Sequence, residues 1–539
     1  MTWTSRNGIE VRDLVPGELR RHWIDRGLCP GRAVYEMFTE RVREHPRREA
    51  VIDGDVTLDY EGLDREVRRT ASALNAEGLG ERDIIGIRLR NGWRMVVAEL
   101  AVAAVGAVAL PYPASGGTRD TTSLLGRSRA AAGIFDDPAD LEAAARIPTA
   151  RALLFDSLRG SDDWSAPELD PEAPVRILVT SGSQAEPKMI AYSHNAMAGG
   201  RANYVRALHD GAEPMRGLML MKLSSSYGSL VTHVSIAALG STVILRDGFD
   251  AEETLRAVGR HRPTHLFGVP TMLRRLAEHP RVAGEDLSSL RTAVSSAAPL
   301  SDVTARACAQ RFGTRVITIY GSSDGINCHT ARTGTGDGAG TGIPDPAVAQ
   351  IRIVDELGND VAAGNSGEIW ARGPMTPLCY VADPDLDARY RTRGGWVRSG
   401  DRGVLDESGR LHVLGRLEQV VSRGGLKISP AEVERELRAH PDVVDVACVP
   451  IPDEELGERL CACVSPSAGS PELSLDVLTD YLQRDRGLER RKLPEFLLTL
   501  PELPLAPTGK VCRRTVTALA TERFRPEGQP AMSSTSSSP

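Results

Sequence analysis

Lysine is the rarest way in which this chain writes a positive charge. Of 65 basic residues only five are lysines: Lys188, Lys222, Lys427, Lys492 and Lys510. A bias towards arginine accounts for the composition. A compact ammonium on a flexible stem still differs from a planar guanidinium, so the retained lysines are places to look for chemistry. Lys188 closes the run Thr180-Ser181-Gly182-Ser183-Gln184-Ala185-Glu186-Pro187-Lys188, directly after an apolar strand-like segment at 175–180. Hydroxyls and backbone N–H groups of such a loop can face phosphate oxygens, with the lysine adding a point charge. Gly182 and Lys188 keep the spacing of the pattern GxxxxGK[ST], but Pro187 replaces its second glycine and Met189 its magnesium-binding hydroxyl. That argues against a P-loop kinase, and an ordinary hairpin loop accounts for the composition too.

Four more segments share this character. Tyr320-Gly321-Ser322-Ser323-Asp324-Gly325 ends a strand-like run and brings an aromatic face and a carboxylate to a sheet's C-terminal edge, where α/β folds bind ligands. Trp396 to Gly403 holds Asp401 in a tight turn, and Gly415 to Glu434 contains Arg416, Gln419 and Arg423-Gly424-Gly425-Leu426-Lys427. Leu503 to Lys510 (LPLAPTGK) puts the last lysine in a short loop. Singly, each reads as a turn.

The elements that must carry these loops are legible in the periodicity. Residues 1–30 read as a polar, irregular N-terminal extension. AVYEMFTERVREHP has helical spacing and stops at a proline, AVIDGDVTLDY reads as a hairpin with an Asp-Gly turn, and LDREVRRTASALNAEGLG as a helix stopped by glycine. DIIGIRL, VALPY, VRILVT, STVILR, THLFGV, LRTAVSS and RVITIYG are short apolar strands, alternating with helices such as MVVAELAVAAVGA. This predicts an α/β fold of doubly wound sheets. MIAYSHN, after the first loop, reads as a strand leading into a helix. Beyond about residue 345 short strands and Gly-rich turns predict a β-rich subdomain, then a small α+β domain (416–525) after a break near Gly415. Residues 526–539 are low-complexity and expected to be disordered.

Composition removes other classes. A chain of 539 residues with 41% apolar and 25% charged residues is globular, and a net charge of −7 with interspersed signs offers no field for nucleic acid. Leu100 to Leu110 is too short to span a bilayer, and no signal peptide is visible. Eight cysteines without a CxxC pair fit reduced thiols in a cytoplasm.

In this order and at these separations the five motifs resemble the adenylate-forming superfamily of acyl- and aryl-CoA ligases, peptide-synthetase adenylation domains and luciferases. The resemblance runs from about residue 30 to 520 and takes in Lys188, Lys427 and Lys510. It implies a large N-terminal domain (31–415), a small C-terminal domain (416–525) that rotates between two half-reactions, and ATP and Mg²⁺ as cofactors. It further implies that Lys510 bridges the substrate carboxylate and the α-phosphate, while Thr180, Ser181, Gly182, Ser183 and Lys188 cover the outer phosphates. Ser296 and Ala297 would line the adenine pocket, Tyr320 would stack on adenine, and Gly321, Ser322 and Ser323 would belong to the ATP and phosphate site, with Ser296 and Ser322 also aligning with the acid-pocket lining. Asp324, where the family usually has Glu, would stand near Mg²⁺; Asp401 and Arg416 would hold the ribose. Gln419 occupies the hinge position that is usually Asp, Gln184 and Ala185 replace the usual Thr-Gly, and the Lys427 loop would approach a pantetheine thiol.

The segment LRRHWIDRGL, the run Tyr192-Ser193-His194-Asn195 and SRGGLK look like the stand-alone aryl-acid ligases of the 2,3-dihydroxybenzoate and salicylate type. Their His-Asn-Tyr aligns with Ser225, Ser226 and Tyr227, so the acid pocket would be lined by these residues, with Lys222 near enough to meet a second acidic group. The leading expectation is therefore ATP-dependent activation of an aryl or cyclic carboxylic acid, followed by transfer to a separate carrier protein or CoA in a biosynthetic pathway. The protein would be a monomer or homodimer, without nucleic-acid or membrane partners. Two alternatives stay open at this point: an offshoot that activates nitrite for diazotisation without a thioester, and a catalytically silent adenylate-binding scaffold.

Overall fold

The computed structural model describes residues 2–114, 118–180, 187–209, 211, 213–334, 340–417, 419–467, 469–506 and 510–524. Ser181, Gly182 and Ser183 of the phosphate loop, and the expected disordered tail, lie outside the described residues. The chain divides into two compact units between Val413 and Leu414.

The first unit contains two large sheets. One has seven strands in the order Cys379–Tyr380, Lys188–Ser193, Pro174–Thr180, Val108–Pro111, Ile84–Arg88, Ala132–Phe135 and Arg151–Leu154. Its last five strands run parallel, and the first two are antiparallel additions. The other has eight strands: Asn327–His329, Arg315–Gly321, Thr292–Ser295, His265–Gly268, Arg216–Met219, Thr242–Leu245, Glu49–Asp53 and Val56–Asp59. It is parallel in the middle and antiparallel at both edges. Between helices, strands bury both faces, which is why they read as continuous apolar runs. The helix Trp93–Ala104 is buried almost all round, and helix Tyr60–Ala76 packs on it, capped by Asp59, whose carboxylate accepts the Gly62 N–H at 2.7 Å. A four-stranded sheet, Gln350–Val354, Ser366–Arg372, Val397–Leu405 and Leu411–Arg416, forms the β-rich part.

The second unit is a five-stranded sheet. Val421–Arg423 and Leu426–Ile428 form a hairpin, the long pair Val443–Asp453 and Gly457–Pro466 runs antiparallel, and Phe496–Thr499 lies parallel to the latter. Helix Pro430–Arg438 covers one face over Val433 and Leu437. Gly415 has φ 122°, and a side chain there would stand 2.3 Å from Ala431 Cβ, so glycine is required on both counts.

One expectation is corrected. Residues 1–30 are not irregular: Thr2–Thr4 pairs antiparallel with Glu10–Arg12, and Gly17–Asp25 is a helix. Apolar side chains at Val15, Trp23 and Cys29 cluster beneath that helix. Arg20 anchors it, donating to both Asp13 oxygens and, at 2.9 Å, to the Thr376 carbonyl.

Candidate functional site

The first unit gathers several of the marked residues at the C-terminal ends of its strands. Strand Arg315–Gly321 delivers Tyr320, whose hydroxyl donates to Asp401 Oδ2 at 2.6 Å although 81 residues separate them. Asp401 is 6% exposed, and its N–H donates to Ser399 Oγ at 2.8 Å. Glu368 braces the same turn, accepting from Gly400 N–H, the Arg398 guanidinium and the Trp370 indole N–H. The carboxylate expected to hold ribose and the ring expected to meet adenine are thus joined to each other.

The turn after Tyr320 is equally determined. Gly321 ends the strand, the Ser322 N–H donates to the Ile326 carbonyl at 3.1 Å, and the Asp324 N–H to Ser322 Oγ at 3.2 Å. Gly325 has φ 86°, and a Cβ there would lie 2.8 Å from the Met375 carbonyl. Two tyrosines that sequence reasoning did not place here complete the turn. Tyr192 donates to the Ser323 carbonyl at 2.8 Å, and Tyr380 donates to Asp324 Oδ1. Burial and the Asp324 charge push the Tyr380 hydroxyl well above its ordinary value, so it stays a donor.

Lys188 reaches this same corner. It sits opposite Thr180 in the antiparallel pair, and its Nζ stands 4.5 Å from the ring centre of Tyr390 and 5.9 Å from that of Tyr380. These are cation–π distances. Local sequence fixes the cage: Asp383 caps the helix Pro384–Tyr390 by accepting the Leu386 N–H, and Asp387 accepts the Tyr380 N–H at 2.8 Å. Burial raises the Asp387 carboxyl to about 6.

Ser296 and Ala297 follow strand Thr292–Ser295. Ser296 Oγ donates to the Ile319 carbonyl at 3.2 Å, and Ala297 takes φ 77°, a left-handed conformation that a non-glycine residue adopts at some cost.

On the acid side the expectation changes in detail. Ser225 Oγ donates to the Lys222 carbonyl at 2.7 Å and accepts the Gly228 N–H at 2.9 Å, so this hydroxyl closes a turn. Ser226 offers its carbonyl to Arg201 Nη2 at 2.9 Å, and Tyr227 donates to the Val294 carbonyl at 3.3 Å. Lys222 is half-buried at the start of the same turn. The run Ser193-His194-Asn195 is structural: Ser193 and Asn195 donate to Glu172, Asn195 accepts the Gly31 N–H, and His194 Nδ1 accepts the Val34 N–H at 3.1 Å. Burial pushes the His194 imidazole down to about 3, the neutral form an acceptor needs.

Sequence reading also missed a buried ionic group. Arg176 Nη1 donates to Glu99 Oε2 at 2.7 Å with both side chains fully buried, and His233 Nδ1 lies 3.5 Å from the same guanidinium. The signal was available as a charge inside two apolar runs, MVVAELAVAA and VRILVT.

The remaining marked residues belong to the second unit. Arg416 is exposed at a strand end, and its carbonyl accepts the Gln419 N–H at 3.3 Å. Lys427 pairs across the hairpin with Ser422; Gly424 and Gly425, at φ 54° and 84°, make its turn. Lys510 is exposed, with its carbonyl accepting the Ala506 N–H at 2.7 Å.

Comparison with known proteins then decides the family. The pattern of the AMP-binding enzyme family matches residues 38–381, and that of its C-terminal domain matches residues 432–510. The chain belongs to this family. It is an adenylate-forming ligase, of a family that activates acids as AMP esters and forms CoA or carrier thioesters. Triostin synthetase I of Streptomyces triostinicus is 32% identical over 95% of this chain and 98% of its own. The salicyl-AMP ligase / salicyl-S-ArCP synthetase of Mycobacterium tuberculosis is 28% identical over 91% of each. Among solved structures, the amide bond synthetase McbA of Marinactinospora thermotolerans superposes with a TM-score of 0.77 at 28% identity, covering 90% of this chain and 99% of that one.

Proposed function

We propose that the protein activates an aryl or cyclic carboxylic acid as its acyl-adenylate and passes the acyl group to a phosphopantetheine thiol on CoA or a separate carrier protein. The observation that carries this reading is the convergence of Tyr320–Asp401, Asp324–Tyr380 and Lys188 at one corner of the first unit. It is supported by the aryl acid in the name of the salicyl-AMP relative.

In the first step a carboxylate oxygen bonds to the α-phosphorus of ATP and the bond to pyrophosphate breaks. Two anions meet, so catalysis rests on cations and donors fixed in advance. Within the first unit Thr180 and Lys188 act at the outer phosphates and Asp401 at the ribose; of the second unit's residues, the resemblance gives Lys510 the carboxylate and α-phosphate and Arg416 the ribose. Among the described residues no cluster of three His, Cys, Asp or Glu side chains forms a protein-only metal site. Asp324 is the residue that would hold Mg²⁺, and the ion would there offset the charge of the triphosphate. In the second step a thiolate attacks the acyl carbon and AMP leaves. The Lys427 hairpin serves this step, with Gln419 as the hinge.

The test is pyrophosphate release from MgATP with benzoic, hydroxybenzoic, heteroaryl and alicyclic acids, first without acceptor and then with CoA or a phosphopantetheinylated carrier. Release with one acid and acyl transfer to a thiol support the reading, and Lys427→Ala should then slow transfer more than adenylation. The similarity to an amide bond synthetase favours a second reading, in which an amine takes the acyl group instead. Amide formation with no thioester would establish it, whereas response to nitrite alone would move the enzyme to diazotisation.

A further inference from the structure

Arg201 begins the helix Arg201–Leu208, is 4% exposed, and makes one hydrogen bond, from Nη2 to the Ser226 carbonyl. Its Nε and Nη1 are buried without a partner. Among the described residues no carboxylate lies within ion-pair distance of it. Its guanidinium stands over the Tyr192 ring at 5.5 Å, so one face is covered while the donor-bearing edge is not satisfied.

The surroundings add to the imbalance. Arg176 is matched by Glu99, but nothing matches Arg201, and His233 Nε2 is another buried atom with no partner. Both Arg176 and Arg201 help hold His233 in its neutral form, although burial is the largest cause. Two π-helical segments position part of the group: Asn195–Gly200 leads directly into Arg201, and Val231–Ala238 carries His233. The first can form against its neighbours because Gly199 and Gly200 leave no side chain to strike Pro30 and the Pro374 carbonyl, where a Cβ would lie 2.2 and 2.3 Å away. Wide turns of this kind are frequent at functional sites.

A buried guanidinium with two unsatisfied nitrogens and no counter-charge is costly, and native proteins rarely keep one. We propose that Arg201 is the specificity-determining cation of the acid pocket, donating to a second acceptor on the substrate acid: a phenolic oxygen, a ring nitrogen or a second carboxylate. The assignment rests on the reading of the Ser225–Tyr227 turn as the pocket wall, since Arg201 binds that turn directly. It transfers to Arg201 the role expected of Lys222.

The experiment compares wild type, Arg201→Met and Arg201→Lys on benzoate, 3-hydroxybenzoate, nicotinate and isophthalate. Wild type should favour one of the three acceptor-bearing acids over benzoate at least tenfold in kcat/KM, and which one is favoured identifies the acceptor. In Arg201→Met that ratio should fall to near one, mainly through KM, with Arg201→Lys between. Removing an uncompensated buried charge should leave Arg201→Met melting no lower than wild type. Wild type preferring benzoate, or an unchanged ratio in Arg201→Met alongside a lowered Tm, would make Arg201 structural and overturn the proposal. Failure of the adenylation reading is separable by thermal shift without ATP. An acceptor-bearing acid that raises Tm in wild type but not in Arg201→Met supports the subsite even if no pyrophosphate forms, and no rise in wild type with any of the four acids rejects it.

Discussion

The proposed nucleotide side and the proposed acid side of the first unit handle polar groups in opposite ways. On the proposed nucleotide side the marked residues satisfy one another or the backbone: Tyr320 with Asp401, Tyr380 with Asp324, Tyr192 with the Ser323 carbonyl. Around the proposed acid side Arg201 Nε and Nη1, Arg176 Nε and His233 Nε2 are buried with no hydrogen-bond partner among the described residues. The first arrangement suits a ligand that is always the same, because its shape can be fixed in advance. The second suits a ligand whose own atoms finish the network, and it makes that region selective at a cost in stability.

The largest effect that probes this contrast is on stability. Arg176→Met strands the Glu99 carboxylate in an apolar helix and should cost about 3–5 kcal/mol in urea denaturation, whereas Arg176→Met with Glu99→Met should recover most of it. Equal losses in the single and double variants would mean that the pair is not electrostatically coupled. Next, Lys510→Ala should lower pyrophosphate release about 10²–10³-fold with no change in melting, since Lys510 is exposed. Activity within twofold of wild type would remove it from the reaction.

A smaller effect separates the two sides. Tyr320→Phe loses a hydrogen bond to a charged group, of about 1.5–3 kcal/mol, and should raise the KM for ATP roughly 10–100-fold while leaving the preference among acids unaltered. A shift in acid preference would show that the sides are not independent. The smallest effect is a pH dependence beside the Lys188 cage. Asp387 titrates at about 6 when folded, above an unfolded carboxyl near 3.9, so the folded state holds this proton more tightly. Its contribution is full below about pH 4 and is lost as pH rises through about 6. Asp387→Asn should therefore gain on wild type between pH 4 and 6 and keep a constant advantage above it, as read from urea midpoints. A constant difference at every pH would contradict this.

The two sides also differed in how far the sequence disclosed them. Tyr320, Asp324, Asp401 and Lys188 were marked because they stand in short loops after strand-like runs, and the helix–strand alternation that carries them was plain in the period of apolar residues. Strands Ala132–Phe135, Arg151–Leu154 and Arg216–Met219 do not stand out in the sequence, since between them they hold one β-branched residue, Ile134, and are otherwise built mostly of Ala, Gly, Leu, Met and Arg. The π-helical turns were invisible because a 3.6-residue period does not distinguish them, and with them went Arg201 and His233. Ser225 was marked by alignment, but whether a hydroxyl faces a ligand or closes its own turn depends on backbone geometry that a residue name does not carry. Tyr380 and Tyr390 were hidden for a similar reason: their positions follow from the Asp383 cap, not from any motif.

The N-terminal helix imposes an order on synthesis. Arg20 binds the Thr376 carbonyl 356 residues further on, Leu14 N–H binds Leu378, and Cys29 Sγ meets Pro374. During translation these groups leave the ribosome long before their partners and must wait, with Trp23 and its apolar neighbours exposed, until the segment before Tyr380 emerges. Closing this contact is a late folding event, and its partners lie in the segment that leads into Tyr380, which donates to Asp324. A truncation at the chain's start should therefore be felt at the Asp324 turn.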